Sequence, residues 1–326
     1  MVGIRDVFPP KPSFTEQNLG SQAGKVFLIT GANSGVGFEL AKLLYQKNGT
    51  VYIAARSESK IKTAIESIKQ EFPSSTGRLA SVVVDLSDLR TIRPAAQNFL
   101  AREDRLDVLF HNAGVMLTSN DAKGAQGHEL RMATNCLGPQ LLTDFLAPLL
   151  VRTARAQPAQ KDSVRIVWVS SMVNASAPKG GIVWDEALNK PKLLPGGMDQ
   201  YMQTKVGDVL LAHEWGERLG SDGIVSVSLH PGLMRTELQR DNKAMQTMMG
   251  IIFKPAKFGA YTELFAGFSP ELTVQENGSF LVPWGRFSSL RDDIAAATKP
   301  KEQDGTGLSK RFWDYCESEV GSFKET

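Results

Sequence analysis

Tyr201-Met202-Gln203-Thr204-Lys205 sets a phenol and a primary amine four residues apart. On a helix this spacing brings both side chains to one face, so Lys205 can reach the space beside Tyr201. A free phenol, with a pKa of about 10, is a poor acid–base catalyst near neutrality. A neighbouring cation favours the phenolate and lowers that value. The same pair also suits a plain amphipathic helix face. Upstream, Ser170-Ser171 end the apolar run Val164 to Val169. They are either turn-forming hydroxyls or members of a ligand crevice, because open parallel sheets bind ligands at the carboxyl ends of their strands.

A second constellation can hold a nucleotide. Thr30-Gly31-Ala32-Asn33-Ser34-Gly35-Val36-Gly37 follows the apolar run Lys25 to Ile29 and precedes Phe38 to Lys47 at helical spacing. In such a strand–turn–helix Gly31 permits the tight turn. Gly35 and Gly37 let the backbone approach a pyrophosphate and let the helix pack on the strand, and the N–H groups of the helix start face the anion. Close packing alone also explains glycines here. The next strand ends Ala54-Ala55-Arg56-Ser57, with no acid to accept from ribose hydroxyls. Arg56 offers a planar fork to a 2′-phosphate, with Ser57 and Lys60 in support, which favours NADP(H) over NAD. A positive nicotinamide ring would add to the effect of Lys205 on Tyr201. Asp85-Leu86 are placed to meet the adenine, although Asp85 also suits an N-cap. Asn112-Ala113-Gly114 are small enough for backbone to lie along the cofactor, and His111 reads as a structural residue at a strand end.

The elements that must position these groups alternate. Strands are expected at Val51 to Ala55, Ser81 to Val84, Leu106 to Phe110, Val164 to Val169, Ile224 to Leu229 and Ser279 to Val282. Helical patterns run between them: the stripe Ile61, Ile65, Ile68 and Phe72, then Leu89 to Leu100, a helix from near Glu129 to Leu150, and Val206 to Leu219. Short apolar runs separated by amphipathic helices imply an α/β fold, a Rossmann-type doubly wound parallel sheet with helices on both faces, in a single domain. Residues 1–23 form an arm and 24–326 the domain, with an insertion at 173–199. An oily segment at 233–256, carrying Met245, Met248, Met249, Ile251 and Ile252, is either a substrate lid or a core or dimer surface.

Composition narrows the class. At 42% hydrophobic residues the 326-residue chain can bury a large core, and a net charge of +2 with mixed signs disfavours nucleic acid as the main partner. Two cysteines, Cys136 and Cys316, imply a reducing compartment without a disulfide framework. The N-terminus lacks the apolar core of a signal peptide, and no stretch is long enough to span a bilayer, so a cytoplasmic protein is expected. No metal-ligand cluster is apparent.

Together these motifs resemble the short-chain dehydrogenase/reductase family, from about Lys25 to Leu238. Thr30 to Gly37 matches its T-G-x-x-x-G-x-G, Asn112-Ala113-Gly114 its N-A-G, and Pro231-Gly232-Leu233-Met234-Arg235-Thr236 its P-G-x-V-x-T. The resemblance implies that Tyr201 is the general acid/base and that Ser171, rather than Ser170, hydrogen-bonds the substrate oxygen. It further implies that Lys205 holds the nicotinamide ribose, that Asn135 anchors a proton-relay water, and that Pro231, Gly232, Met234 and Thr236 meet the nicotinamide. Many members keep the serine closer to the tyrosine than the thirty residues here. The longer loop with Gly180 to Asp185, and Ala54-Ala55-Arg56, resemble the branch of retinol dehydrogenases, WW-domain oxidoreductases and protochlorophyllide reductases. The overall style is similar to fungal members, many of which tailor secondary metabolites.

The expected function is NADP(H)-dependent hydride transfer to or from a ketone or secondary alcohol of an apolar small molecule. Family members commonly pair through the tyrosine-bearing helix, so a homodimer is a further expectation. The alternative is a non-catalytic nucleotide-binding or scaffold protein of the same fold. A sugar epimerase or dehydratase of the extended branch would carry a different glycine spacing and an NAD-type acid.

Overall fold

Alternate residues of each strand point to opposite faces, and here both faces are covered. Phe27, Ile29, Val51, Ile53, Val108 and Phe110 pack into one core cluster, while Val26, Leu28, Tyr52, Ala54 and Leu109 pack into the other. Burial on both sides is why these strands read as unbroken apolar runs. The computed structural model describes residues 8–116, 118–157, 160–234 and 253–325.

The chain runs β1 (Val26–Thr30), α1 (Gly35–Gln46), β2 (Thr50–Ala55), α2 (Glu58–Glu71), β3 (Arg78–Val83), α3 (Ile92–Leu100) and β4 (Val108–His111). An α-turn at Leu130–Met132 and a π-helical segment at Ala133–Leu137 lead into α4 (Gly138–Arg155). Then come β5 (Val164–Val169), the two-residue strands β6 (Trp184–Asp185) and β7 (Lys190–Pro191), α5 (Gly197–Leu219) and β8 (Ile224–Leu229). The last third holds α6 (Ala256–Phe268), β9 (Phe280–Val282), β10 (Arg286–Ser288), α7 (Asp292–Thr298), α8 (Leu308–Val320) and α9 (Ser322–Glu325).

The main sheet has the order β10-β9-β8-β5-β4-β1-β2-β3, parallel except for the antiparallel edge strand β10. The order reverses between β1 and β4, which opens the crevice where such sheets bind ligands. Helices α1, α2 and α6 cover one face, and α3, α4, α5 and α8 the other.

The expected strands β5 and β8 have the expected bounds, while β3 starts three residues earlier, paired in register Thr50↔Arg78. The 173–199 insertion is ordered by partners distant in sequence. Its β6–β7 hairpin is tied by Arg311 to Glu186, and the Arg291 guanidinium donates to the carbonyls of Ala175, Ala177 and Pro178. Of the arm, Phe14 packs edge-on against Phe265 and Glu16 pairs with Lys257 at 2.8 Å. Most of the expected 233–256 lid lies outside the described residues. Its flanks are joined, with the Lys254 amide donating to the Leu233 carbonyl at 2.9 Å.

Candidate active site

The glycine turn joins β1 to α1. Gly31 and Gly35 have φ of 70° and 63°, a region that other residues enter at a cost. Ser34, at the N-cap, makes no side-chain capping bond, and the first turn of α1 carries no acid. That leaves the helix start suited to an anion. Gly37 serves a purpose beyond phosphate approach: a Cβ there would stand 2.4 Å from the Asn112 amide nitrogen, which donates to the Thr30 carbonyl at 2.8 Å. Thr30 in turn accepts from the Ala113 amide at 3.0 Å. The T-G and N-A-G motifs thus brace each other across β1 and β4. The Val36 side chain packs towards Gly259 of α6, so only its backbone is left to face a ligand.

Around this turn several polar groups are uncommitted. Arg56 is exposed at the end of β2, with no hydrogen bond or ion pair among the described residues, and Lys60 is likewise exposed. The Ser57 hydroxyl caps α2 through the Lys60 amide. Asp85 folds back on itself: Oδ1 accepts from the Ser87 amide and hydroxyl at 2.9 and 2.7 Å, an Asx-type turn rather than the alternative N-cap. The Leu86 side chain is buried in the core, which leaves its backbone alone for an adenine. His111 is structural as read: its Nε2 pairs with Thr143 at 2.7 Å, and burial lowers its pKa to about 3.

The other wall of the crevice is α5 and the end of β5. Tyr201 and Lys205 share a face of α5, with the Lys205 Nζ 5.7 Å from the Tyr201 ring centre. The two serines separate cleanly. Ser170 is buried and donates to the Lys205 carbonyl at 2.6 Å, pinning β5 to α5. The Ser171 side chain lies beside the Tyr201 phenol, where it favours the ionised form.

Asn135, on the π-helical segment, is held on three sides. Its Oδ1 accepts from the Val115 amide, and its Nδ2 donates to the Val115 carbonyl and the Thr204 hydroxyl at 2.9 to 3.2 Å. π-Helical turns recur at functional sites because they re-aim side chains. A Cβ on Gly114 would come within 3.4 Å of both Asn135 Oδ1 and Lys205 Nζ, so the glycine keeps this floor of the crevice open. Pro231 and Gly232 follow β8, with Gly232 at φ 101° against Trp284. Met234 is buried, and Thr236 lies outside the described residues.

Lys205 lowers the pKa of Tyr201, as expected, but does not set its net direction in the protein on its own. Burial is the largest influence and raises it; the Lys205 ammonium opposes this, and the Asp208 carboxylate reinforces it. The net direction is upward.

Two groups escaped the sequence reading. Asp208 is buried and accepts from Lys205 at 2.8 Å; its one signal was an acid three residues from a lysine on the same helix. Arg131 is 2% exposed, pairs with Glu129, and donates to the carbonyls of Met116 and Thr118. Glu129 also accepts from Gln200 in the first turn of α5. This network fixes the loop after β4 against the helix that carries Tyr201. Nothing in the sequence distinguishes it from ordinary surface charge.

These residues fit a dinucleotide. The helix start is uncapped by side chains, Arg56 is unpaired among the described residues, and a side chain at Gly114 would crowd Asn135 and Lys205. No cluster of potential metal ligands occurs among the described residues.

Comparison with known proteins gives this arrangement its class. The family model for short chain dehydrogenases matches residues 25–184. A short-chain dehydrogenase/reductase of Phomopsis amygdali is 44% identical over 96% of this chain and 95% of its own length. The chain belongs to the short-chain dehydrogenase/reductase family. Among solved structures, a protein of Mycobacterium paratuberculosis aligns with a TM-score of 0.65 at 26% identity, covering 94% of this chain and 97% of its own. The NADPH-bound carbonyl reductase from chicken fatty liver shares the fold, with a TM-score of 0.62 at 19% identity over 84% of this chain and 97% of its own.

Proposed function

We propose that the protein is an NADP(H)-dependent oxidoreductase acting on a ketone or secondary alcohol of an apolar small molecule, with Tyr201 as general acid/base. The observation that carries this is the meeting of Tyr201, Lys205, Ser171 and Asn135 beside the Gly114 floor, at the carboxyl ends of β4 and β5. A bound nicotinamide supplies or accepts the hydride. Ser171 orients the substrate oxygen. Tyr201 gives its phenolic proton to that oxygen in reduction and takes it back in oxidation. Lys205 and Asn135 hold the ribose side and the water path.

The unpaired Arg56 supports NADP(H), since a guanidinium fork matches a 2′-phosphate. The NADPH complex of the chicken reductase points the same way. A tailoring role in secondary metabolism rests on the resemblance to fungal members of the family. Two free, buried thiols suit a reducing, cytoplasmic compartment. No helix among the described residues is long and apolar enough to cross a membrane. Any homodimer must use a surface other than the part of α5 that α8 covers.

The test is NADPH oxidation with a panel of hydrophobic ketones. Tyr201→Phe is expected to cut kcat by about 10²- to 10⁴-fold while NADPH binding persists. Full turnover by that variant would end the assignment of Tyr201.

A further inference from the structure

Among the described residues, the one carboxylate that touches the Tyr201–Lys205 pair is Asp208, one turn further along α5. It is 3% exposed, and its Oδ2 accepts from the Lys205 Nζ at 2.8 Å. The same ammonium donates to the Val169 carbonyl at 2.8 Å. An ammonium has three N–H groups, so the protein itself fixes two of them. Ser170, next to Val169, anchors the Lys205 backbone. The lysine is therefore held in one place.

The groups that face this pair are few. Tyr201 comes from α5 itself. The π-helical segment contributes Cys136, whose Sγ lies 3.4 Å from the Thr204 carbonyl, and α8 brings Cys316 towards that thiol. Burial keeps both thiols protonated. From β5 comes the Val169 carbonyl, and just beyond it the Ser171 side chain lies beside the phenol. Within this pocket the charge balance is thus one ammonium against one carboxylate.

A lone ammonium beside a phenol stabilises the phenolate, whereas an ammonium already paired with a carboxylate does so far less. We propose that Asp208 is a positioning residue of this site: it fixes Lys205 against Val169 and cancels its charge, so that Tyr201 stands as a protonated acid ready for a carbonyl. This rests on the acid/base role given to Tyr201 above and deepens it. It makes the resting site one prepared for reduction. The Tyr201 O–H bond breaks as the carbonyl oxygen gains that proton and the carbonyl carbon gains the hydride; water then reprotonates the phenolate. Burial raises the Asp208 pKa to about 6; above that pH it carries the cancelling charge, and below it Lys205 stands uncompensated.

The experiment needs no substrate. The full-length protein is labelled with ¹³C at the tyrosine Cζ, the Tyr201 signal is assigned with Tyr201→Phe, and its ionisation is followed by NMR to about pH 11, just above the ordinary phenol range. In Asp208→Asn, which keeps an acceptor for Lys205 and removes the charge, Tyr201 is expected to ionise at least about one pH unit lower than in the wild type. Asp208→Glu should return it towards the wild-type value. Lys205→Met/Asp208→Asn, which removes both charges, should also ionise near the wild type, because the pair it replaces is neutral. A purely structural Asp208 predicts no such ordering by charge. Identical behaviour in the wild type and Asp208→Asn, including ionisation in neither, overturns the proposal. Should Asp208→Asn not fold, Lys205→Met and the double variant carry the same comparison: Tyr201 must ionise lower in the double variant, and the reverse order overturns the proposal. Failure of the acid/base assignment is read separately, from turnover by Tyr201→Phe.

Discussion

The two walls of the crevice are built on opposite plans. On the nucleotide wall the cations at the rim and the helix start are uncommitted: Arg56 and Lys60 stand exposed, and Ser34 leaves its helix uncapped, although Ser57, Asp85 and Asn112 are bound within the protein. On the catalytic wall almost every polar group is already bound. Lys205 is held by Asp208 and Val169, Asn135 by Val115 and Thr204, and Ser170 by the helix backbone. A wall that recognises a charged ligand gains by keeping its donors free until the ligand arrives. A wall that moves a proton gains by having its groups fixed beforehand, because acid–base chemistry depends on placement within hydrogen-bond reach.

If rigidity of the catalytic wall comes from packing as well as hydrogen bonds, the largest effect should follow from loosening what lies behind it. Helix α8 packs along α5, with Trp313 edge-on to Trp215 at 5.0 Å and Ser309 donating to Glu214 at 2.7 Å. Phe312 is fully buried, against Gly207 of α5. Phe312→Ala should cost about 3–5 kcal/mol of unfolding free energy. It should also lower kcat while NADPH affinity holds. Urea melts together with cofactor titrations check both, and an equal loss on the two walls would dissolve the contrast.

The nucleotide wall has its own weakness at its back. Glu263 on α6 is fully buried, and both carboxyl oxygens lack a hydrogen-bond partner among the described residues. Burial raises its pKa from 4.5 to about 8. The folded protein therefore keeps this carboxyl protonated at neutral pH, whereas the unfolded chain releases the proton. Its contribution to stability is full below about pH 4.5 and is lost progressively as pH rises to about 8. Glu263→Gln should remove that loss, a matter of about 2–3 kcal/mol between the two ends of the window, discounted from the full linkage for local relaxation. The measurement is the difference in urea midpoint between variant and wild type, followed across pH. A difference that stays flat would place Glu263 in contact with a charge or with water.

The contrast also explains what the sequence disclosed. Features set by local spacing were legible: the glycine turn, Arg56 at a strand end, Tyr201 with Lys205 on one helix face, and the doubly covered strands with their continuous apolar runs. Local spacing suffices for these because each is set within one turn or one helix face. Asp208 and Arg131 were not legible, because a buried charge and a surface charge look alike until tertiary packing places a partner opposite. The insertion read as a loop for a related reason. Its order comes from Arg291 and Arg311, more than a hundred residues downstream. The role of Gly37 was half read, since the residue it makes room for, Asn112, lies on another strand.

Removing the uncommitted cation should act on binding alone. Arg56→Ala is expected to raise the Kd for NADPH roughly ten- to a hundred-fold, as loss of a charge-assisted hydrogen bond worth about 1.5–3 kcal/mol implies. Affinity for NADH should hardly change, and the unfolding midpoint not at all, because Arg56 makes no hydrogen bond or ion pair among the described residues. Isothermal titration with both cofactors decides it. Equal loss for NADPH and NADH would mean that the guanidinium meets a group common to both, and the 2′-phosphate assignment would fall.

The smallest effect tests whether the nucleotide wall is as free of internal commitments as Arg56 suggests. Gly37 is one position with such a commitment: an added Cβ meets the Asn112 amide nitrogen at 2.4 Å and the Ala32 Cα at 3.2 Å. Asn112 cannot retreat without giving up its bond to the Thr30 carbonyl. Gly37→Ala should therefore destabilise the cofactor-free protein by about 1–3 kcal/mol, as overpacking does. Were the glycine there only for phosphate approach, the same variant would lose NADPH affinity and keep its unfolding midpoint. A urea melt without cofactor separates the two. Loss of stability before any ligand is added would show that even the receptive wall rests on a braced turn, and that its freedom is confined to side chains at the rim.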